Sequence, residues 1–321
     1  STGGAAAAGG RLWRLQNFDF AGRSGRAFPF PSTKGDGFLL LGGFVIFGDR
    51  ANGLERCIES LRAVCDVVVA IHTGKDASIR DLAKSRGVEL DVVPWRGFGA
   101  ARARAVEILG DADYLFYLDS DEWLEQPARR QILGWKGTGP SEAFYRLRLR
   151  DWIISGQHRK VFRTEWRRRL VRRDAALWRD DMIVHESLPG PRGRRLGGFI
   201  EHAFASDPGL LSAKLRKYAL LWAIGKAAHG QSTGSAAGRY LASFARNAFL
   251  KGALFRCGIE GLRYSACVAR YHRDKHRFLR MLRAGHGAGL VAAAREGRLE
   301  ELFGMLAAVN IPEKLLSISS D

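Results

Sequence analysis

The stretch from Tyr114 to Glu122 constrains the fold of this chain most strongly, because an apolar and aromatic run leads directly into three carboxylates. A short continuous apolar run of this kind is typical of a buried strand in a parallel sheet. Ligands of open α/β sheets bind just beyond the carboxyl ends of such strands. The sequence therefore predicts that Asp119, Asp121 and Glu122 lie where this fold class carries out chemistry. An acidic, solvated turn after an ordinary strand is the alternative interpretation.

Carboxylates this close in sequence repel one another unless a cation or a proton joins them. Hard oxygen ligands suit Mg²⁺ or Mn²⁺, and Mg²⁺ usually binds through one or two carboxylates together with substrate phosphates. The stretch thus indicates a site for a divalent metal ion and a diphosphate.

The chain before this stretch alternates between strand-like and helix-like patterns. Residues 38–47, 66–71 and 88–93 read as strands, and apolar residues at helical spacing follow each of them. Asp76 or Ser78 is placed to cap the second helix. Repeated strand–helix units predict an α/β fold with a doubly wound, mostly parallel sheet flanked by helices.

The sequence divides into three parts. Residues 1–36 are rich in Gly, Ala, Ser and Arg, and we expect them to be mostly disordered. Residues 37–205 form the predicted α/β domain. Residues 206–321 form a basic helical C-terminal region, whose first helix is predicted to begin at Ser206-Asp207-Pro208. Such helices are core elements in most proteins, but their charge also allows docking on a membrane surface.

Composition limits the choice of partner. The chain carries 51 Lys and Arg against 33 Asp and Glu, a net charge of +18, which favours an anionic partner such as phosphorylated substrates, an anionic membrane or nucleic acid. The four cysteines show no CxxC spacing, which argues against a disulfide scaffold or a zinc site. No apolar run reaches the roughly 18 residues of a membrane span.

Three other functions fit the sequence less well. Gly97-Phe98-Gly99 begins like a dinucleotide fingerprint, but Arg102 stands in place of the third glycine. Asp119-x-Asp121 after a strand also opens phosphohydrolases of the haloacid dehalogenase type, but Trp123 replaces the hydroxyl residue that they need. A nucleic-acid protein is allowed by the charge, yet the aromatic residues form no recognisable RNA or DNA motif, so we do not expect a nucleic-acid partner.

Four stretches follow one another along the chain: Leu54-Glu55-Arg56-Cys57-Ile58-Glu59-Ser60-Leu61, then Trp95-Arg96-Gly97-Phe98-Gly99 with Arg102, then Leu118-Asp119-Ser120-Asp121-Glu122, then Trp178 followed by Val184-His185-Glu186. In this order and spacing they resemble glycosyltransferase family 2 with the GT-A fold, the first of them its first helix. Within that family the chain is similar to the lipopolysaccharide core glycosyltransferases that add glucose to inner-core heptose. The likeness covers roughly residues 40–280 and includes Asn247-Ala248-Phe249-Leu250 in the helical region.

The resemblance implies an inverting, metal-dependent transferase. Its donor would be a nucleotide-diphosphate sugar, a UDP-sugar, and its acceptor a lipid-linked saccharide such as lipopolysaccharide inner core. It implies a cytoplasmic protein that is peripheral on the inner face of the cytoplasmic membrane and contacts its anionic surface.

The resemblance also implies roles for individual residues. Asp121 would bind Mg²⁺ or Mn²⁺, and Asp119 would lie nearer the ribose or bind the ion through water. Arg102 would contact the diphosphate, and His72 and Asp76 would lie in the donor-binding half.

An inverting transfer also needs a base for the acceptor hydroxyl. We predict Glu186 for this role, with Asp181 and Asp180 as alternatives. His185 is as well explained by a buried, hydrogen-bonded histidine as by a catalytic one.

The chain departs from the family pattern in the donor-binding half. Asp49-Arg50-Ala51 stands where the family has Asn-Glu-Glu, His72 replaces an aspartate, and Ala103 replaces an asparagine. A transferase-like scaffold without turnover, or a basic nucleic-acid or membrane-binding protein, is therefore the alternative function.

Overall fold

A computed structural model describes residues 39–50, 52–179, 183, 188–230 and 234–308. The strands are β1 (Leu41–Phe47), β2 (Val67–His72), β3 (Glu89–Val92), β4 (Tyr114–Asp119), β5 (Glu122–Leu124), β6 (Phe144–Ser155), β7 (His158–Arg172) and β8 (Arg194–Ala205). The helices are α1 (Leu54–Arg62), α2 (Ala77–Ser85), α3 (Phe98–Ile108), α4 (Gln126–Lys136), α5 (Pro208–Ala228), α6 (Ala236–Ala245), α7 (Ala253–Arg283), α8 (Ala288–Arg295) and α9 (Leu299–Ala308).

Within the described residues, the strands form one sheet in the order β3-β2-β1-β4-β7-β6-β8-β5. The first four strands are parallel, and β7 joins β4 in the antiparallel direction. The chain moves outward from β1 to β3 and then returns to place β4 on the other side of β1. The ends of β1 and β4 therefore form the point where the strand order reverses, which is where open α/β sheets bind ligands.

Alternating side chains of the central strands fill two apolar layers. In β4, Tyr114, Phe116 and Leu118 pack on the side of α1, α2 and α4. Leu115 packs on the opposite side with α3. Helices thus cover both faces, which explains why the strands read as continuous apolar runs. The predicted α/β class with a mostly parallel sheet, flanking helices and a helical C-terminal region is confirmed.

The second half of the sheet is larger than the sequence pattern predicts. The alternation from Phe144 to Arg150 indicates a short strand, whereas β6 continues to Ser155 and pairs with the longer β7 in a hairpin. Both strands carry Arg and Trp side chains that lie over one another, for example Arg148 over Trp166 at 5.7 Å. Charge in this stretch hides the strand pattern because arginine stems cover apolar surface while their guanidinium groups remain polar.

The C-terminal helices pack against this hairpin. Asp207 caps α5 by accepting a hydrogen bond from the Leu210 N–H at 2.8 Å, as the Ser-Asp-Pro sequence predicts. Ile153 and Phe162 of the hairpin share a buried cluster with Ala253 and Tyr264 of α7.

The predicted boundaries of the three parts of the chain remain a prediction, and residues 1–36 lie outside the described part.

The four cysteines are free thiols. No helix among the described residues combines the length and the apolar character that crossing a membrane requires.

Candidate active site

The structure brings the predicted acidic residues to the reversal point of the sheet. Asp119 is the last residue of β4, and Asp121 follows in the turn before β5. Arg102 of α3 lies beside them, with its Nη2 3.7 Å from Asp119 Oδ1. Asp119 and Asp121 of one predicted motif and Arg102 of another therefore meet at one edge of the sheet.

A buried arginine, Arg169, neutralises Asp119 and Glu122. Arg169 of β7 lies over the Tyr117 ring and donates to Asp119 Oδ2 at 2.8 Å and to Glu122 Oε1. Glu122 is fully buried, and its second oxygen accepts the Asp119 N–H at 3.0 Å. The turn after β4 is thus held by a carboxylate–guanidinium–carboxylate bridge. Without such a bridge, each buried charge would lower the folding stability by roughly several kcal/mol.

The two carboxyl groups respond differently to this environment. Burial opposes ionisation of Asp119, but the guanidinium groups of Arg169 and Arg102 outweigh it and hold the pKa of Asp119 below its usual range. Burial raises the pKa of Glu122 above its ordinary value, and the neighbouring charge of Asp119 adds to that rise against the pull of Arg169. Asp119 is therefore the ionised partner, whereas Glu122 is the member whose charge is easier to remove.

Asp121 faces a second pair of cations. His202 Nε2 of β8 lies 3.5 Å from its Oδ1, and Lys214 Nζ of α5 lies 3.7 Å from its Oδ2. Burial disfavours the charge on Asp121, but these cations, led by His202, lower its pKa below the usual value. The contacts are longer than the Arg169 bridge, so Asp121 is held by charge more than by tight hydrogen bonds.

His202 is fixed by a third aspartate. Its Nδ1 lies 2.7 Å from Asp151 Oδ1, while Arg163 Nε donates to Asp151 Oδ2 at 2.6 Å. Burial disfavours the imidazolium, but Asp121 and Asp151 outweigh it and raise the pKa of His202 well above its ordinary value. A charged imidazolium between two carboxylates therefore connects the turn of Asp121 to the long hairpin.

Arg102 lies in an aromatic pocket instead of on an open helix face. Its guanidinium is 5.2 Å from the Tyr117 ring, 5.7 Å from Phe98 and 5.7 Å from Trp178. Aromatic faces stabilise a cation in this position and fix its direction. This arrangement points a buried positive charge at the site of the acids, where an anionic ligand would meet it.

His72 and Asp76 lie at the same sheet edge, on the far side of β1. The register places His72 opposite Phe47 and Asp119 opposite Ile46, so the two residues flank the end of β1. His72 is fully buried, no described residue hydrogen-bonds to its ring, and burial lowers its pKa. Asp76 instead caps α2, accepting from the Ser78 N–H at 2.9 Å, which leaves its donor-binding role a prediction.

Asp49 joins these two residues, and the sequence motifs did not single it out for a role. Its Oδ1 accepts the N–H groups of Lys75 and Asp76 at 2.6 and 2.8 Å and lies 3.7 Å from His72 Nε2. One carboxylate after β1 therefore fixes the loop after β2.

The predicted base candidates cannot be placed. Asp180, Asp181, His185 and Glu186 lie outside the described residues, so their catalytic roles remain predictions. Of the stretch 180–187, only Ile183 is described; it is buried, and its carbonyl accepts the Phe98 N–H at 3.2 Å.

The residues present fit a divalent ion at Asp121 better than at Asp119. Asp119 is already engaged by Arg169 at hydrogen-bond distance, whereas the oxygens of Asp121 have longer charge contacts with the described residues His202 and Lys214. Residues 39–308, apart from the gaps given above, contain no group of three or more His, Cys, Asp or Glu arranged to hold a metal ion. One or two carboxylates are nevertheless the usual protein share of an Mg²⁺ site that also binds phosphates.

Sequence reasoning missed the cations that surround the acids: Arg169, His202 and Lys214. The run Arg167-Arg168-Arg169 did carry a signal, because consecutive residues of a strand point to opposite faces and one face is buried. His202 and Lys214 stand in β8 and α5 without any local pattern that marks them. Their role follows only from the packing of distant elements.

Comparisons with known proteins give partial likenesses. No family model matches the chain. An uncharacterized glycosyltransferase from Rickettsia bellii is 27% identical over 89 residues, which are 28% of this chain and 30% of that protein. The chain therefore spans less than a third of the curated relative that it matches.

Two solved structures share parts of the fold at low similarity. Glucosyl-3-phosphoglycerate synthase from Mycobacterium tuberculosis, in complex with Mn²⁺, UDP and glucosyl-3-phosphoglycerate, is 17% identical with a TM-score of 0.29, covering 37% of this chain and 46% of that chain. GalNAc-T7 with UDP, GalNAc and Mn²⁺ is 10% identical with a TM-score of 0.36, covering 79% and 59%. These likenesses are partial, and the residues of the site carry the functional argument.

Proposed function

We propose that this chain is a glycosyltransferase with the GT-A fold that uses a nucleotide-diphosphate sugar, a UDP-sugar, as donor. The observation that carries the proposal is the meeting of Asp119 and Asp121 with Arg102 and Lys214 at the reversal point of the sheet. Carboxylates at this position can bind a hydrated cation or a ribose hydroxyl, and the adjacent cations can bind phosphate oxygens. The likeness of sequence motifs and the curated relative support the same class.

The leaving group of such a donor is a nucleoside diphosphate, so negative charge must be stabilised as the bond to the sugar breaks. Asp121 would hold Mg²⁺ or Mn²⁺, which when bound would offset that charge. Arg102 is held in its aromatic pocket and Lys214 extends from α5, so both can bind the diphosphate without rearrangement of the sheet. Arg169 keeps Asp119 ionised and in place, and Asp119 is then available to a ribose hydroxyl or a metal-bound water.

The acceptor hydroxyl loses its proton during transfer with inversion. Glu186 is the proposed base, and Asp181 and His185 are the other candidates in the same stretch. The acceptor is proposed to be a lipid-linked saccharide such as lipopolysaccharide inner core, with the protein peripheral on the inner face of the cytoplasmic membrane. The net charge of +18 supports an anionic acceptor surface.

The test is a thermal-shift and calorimetric screen of UDP, GDP, CDP and ADP, each with and without Mn²⁺, on the full chain. A ligand that binds only the folded protein raises its melting temperature. We expect UDP with Mn²⁺ to give the largest shift, and Asp121→Asn to remove the dependence on Mn²⁺ while keeping the fold. Asp111→Asn, at an exposed position before β4, is the matched control and should behave like the wild type.

The proposal is wrong if no nucleoside diphosphate shifts the melting temperature under any of these conditions. Binding of UDP without turnover of UDP-sugars, either to water or to an acceptor, would instead favour the non-catalytic scaffold. Glu186→Gln should retain binding and lose turnover, and near-normal turnover in that variant would remove Glu186 as the base.

A further inference from the structure

The segment 241–259 exposes an unusual amount of apolar surface. Nine large hydrophobic side chains of the described residues are exposed, and five of them lie in these nineteen positions. Leu250 is 85% exposed, Phe255 80% and Ile259 72%. The other two are Leu241 and Phe249. Scattered exposed hydrophobic residues are normal, whereas apolar side chains that are exposed together are typical of interaction sites, so the five within nineteen positions single out this segment.

The backbone under these side chains is firmly held. The segment runs from the end of α6 through a π-helical turn at Arg246–Leu250 to the start of α7. Asn247 of the turn is buried and its Oδ1 accepts from Arg163 at 3.1 Å, while Ala253 and Cys257 pack into the cluster beneath α7. The apolar side chains point outward because their neighbours in sequence are anchored inward, and single-turn π-helical insertions are frequent at functional sites.

The helices that carry the segment are rich in positive charge. Residues 236–283 contain eleven Lys and Arg against only two acids, Glu260 and Asp274. This excess of nine is half of the net charge of the whole chain. Arg239, Arg246 and Arg263 are exposed beside the apolar side chains.

An apolar surface with a cationic border fits the interface of an anionic bilayer. Leu, Phe and Ile side chains enter the boundary between head groups and acyl chains, and Lys or Arg beside them meets the phosphates. A bilayer needs no complementary groove. Basic helices with exposed apolar side chains bind in the plane of the interface.

The segment is also joined to the candidate active site by polar contacts. Asn247 accepts from Arg163, Arg163 donates to Asp151 at 2.6 Å, and Asp151 contacts His202, which lies 3.5 Å from Asp121. The exposed apolar surface and the acidic site therefore belong to one connected body. A lipid-linked acceptor would then be bound by the same body that carries the acidic site.

We propose that residues 241–259 are the membrane-docking segment, and that Leu250, Phe255 and Ile259 insert into the head-group boundary of an anionic bilayer. The proposal rests on the peripheral membrane location in the proposed function and identifies the surface that would meet the membrane. It does not depend on the binding of a nucleotide sugar.

The test is sedimentation of the full chain with extruded vesicles of phosphatidylcholine alone and of phosphatidylcholine with phosphatidylglycerol in equal parts. We expect binding to the anionic vesicles only, weakened by high salt. The double variant Leu250→Ser/Phe255→Ser should lower the partition coefficient at least tenfold. Leu133→Ser/Leu177→Ser, which alters two exposed leucines outside the segment, should bind like the wild type.

Melting temperature and UDP binding of each variant are measured in parallel. A double variant that keeps the wild-type melting temperature and no longer binds the vesicles supports the proposal. This result stands whether or not UDP binds the wild type, so it is separate from the failure of the proposed function. Equal binding by wild type and double variant overturns it. The proposal is also overturned if the wild type does not bind vesicles but self-associates through the segment. Sedimentation velocity would then show an oligomer for the wild type that is absent in the double variant.

Discussion

The carboxyl edge of the sheet and the membrane-docking segment differ in how they arrange charge. At the sheet edge, Asp119, Glu122 and Asp121 are matched by Arg169, His202 and Lys214 that come from other elements. In the docking segment, positive charges outnumber negative ones and apolar side chains face outward. In the first arrangement, each acid has a cationic partner among the described residues. In the second, neither the excess positive charge nor the exposed apolar side chains are matched in this way, which is why we assign it an external surface.

Arg169→Met, at the edge of the sheet, is expected to cause the largest loss of folding stability in either region. It would leave Glu122 buried without a counter-charge and Asp119 without its hydrogen bond, and removing one partner of a buried pair costs about 3–5 kcal/mol. Urea unfolding at pH 7 measures this loss. Arg130→Met, at an exposed position on α4, should change the free energy of unfolding by less than about 0.5 kcal/mol.

A double-mutant cycle sharpens the same point. Glu122→Gln should recover part of the stability lost in Arg169→Met, because it removes the uncompensated charge that the first substitution leaves behind. Strictly additive effects of the two substitutions would contradict the bridge.

A smaller difference in thermal stability is expected between alanine substitutions of two glycines. Gly97, before α3, has φ +103°, and a Cβ there would lie 2.9 Å from the Ile183 backbone. Gly258, in the docking segment, has φ +60° and open space around it. Both conformations strain an alanine by about 1–3 kcal/mol, but only Gly97→Ala adds a steric clash. Thermal unfolding should therefore show the larger loss for Gly97→Ala, and the reverse order would contradict the packing at Phe98.

The pH dependence of stability probes His202. Its pKa in the folded protein is raised above the unfolded value near 6.5, so its stabilising contribution is fully present below pH 6.5 and is lost as the pH rises toward the folded pKa. The slope attributable to one such group is at most about 1.4 kcal/mol per pH unit. Urea unfolding from pH 6 to 9 should show a shallower decline for His202→Asn than for the wild type.

The smallest effect is expected in the docking segment itself. Leu250→Ser and Phe255→Ser remove side chains that remain in water when the protein folds, so the free energy of unfolding should change by less than about 0.5 kcal/mol each. Phe116→Ala, at a fully buried position of β4, is the contrast, with an expected loss of about 3–5 kcal/mol. A large loss in Leu250→Ser would mean that the segment is part of the core.

Local sequence patterns were enough to predict the parallel half of the sheet, the helix starts at Asp76 and Asp207, and the position of Asp119 and Asp121 at the end of β4. These features depend on local patterns: an apolar run, a capping side chain, and the rule that parallel strands end at one edge. The antiparallel hairpin was underestimated because its arginines resemble a solvated charged stretch.

The cations that neutralise the acids, and the apolar residues that remain exposed, follow from the packing of distant elements and not from any local pattern. Arg169 lies 50 residues from Asp119 in sequence, and His202 and Lys214 are more distant still from Asp121. Likewise, Phe255 and Phe116 are the same residue type, yet one is exposed and the other fully buried. Burial and ion pairing are set by which elements pack together, and a one-dimensional pattern carries that information only for neighbours within a few turns of the chain.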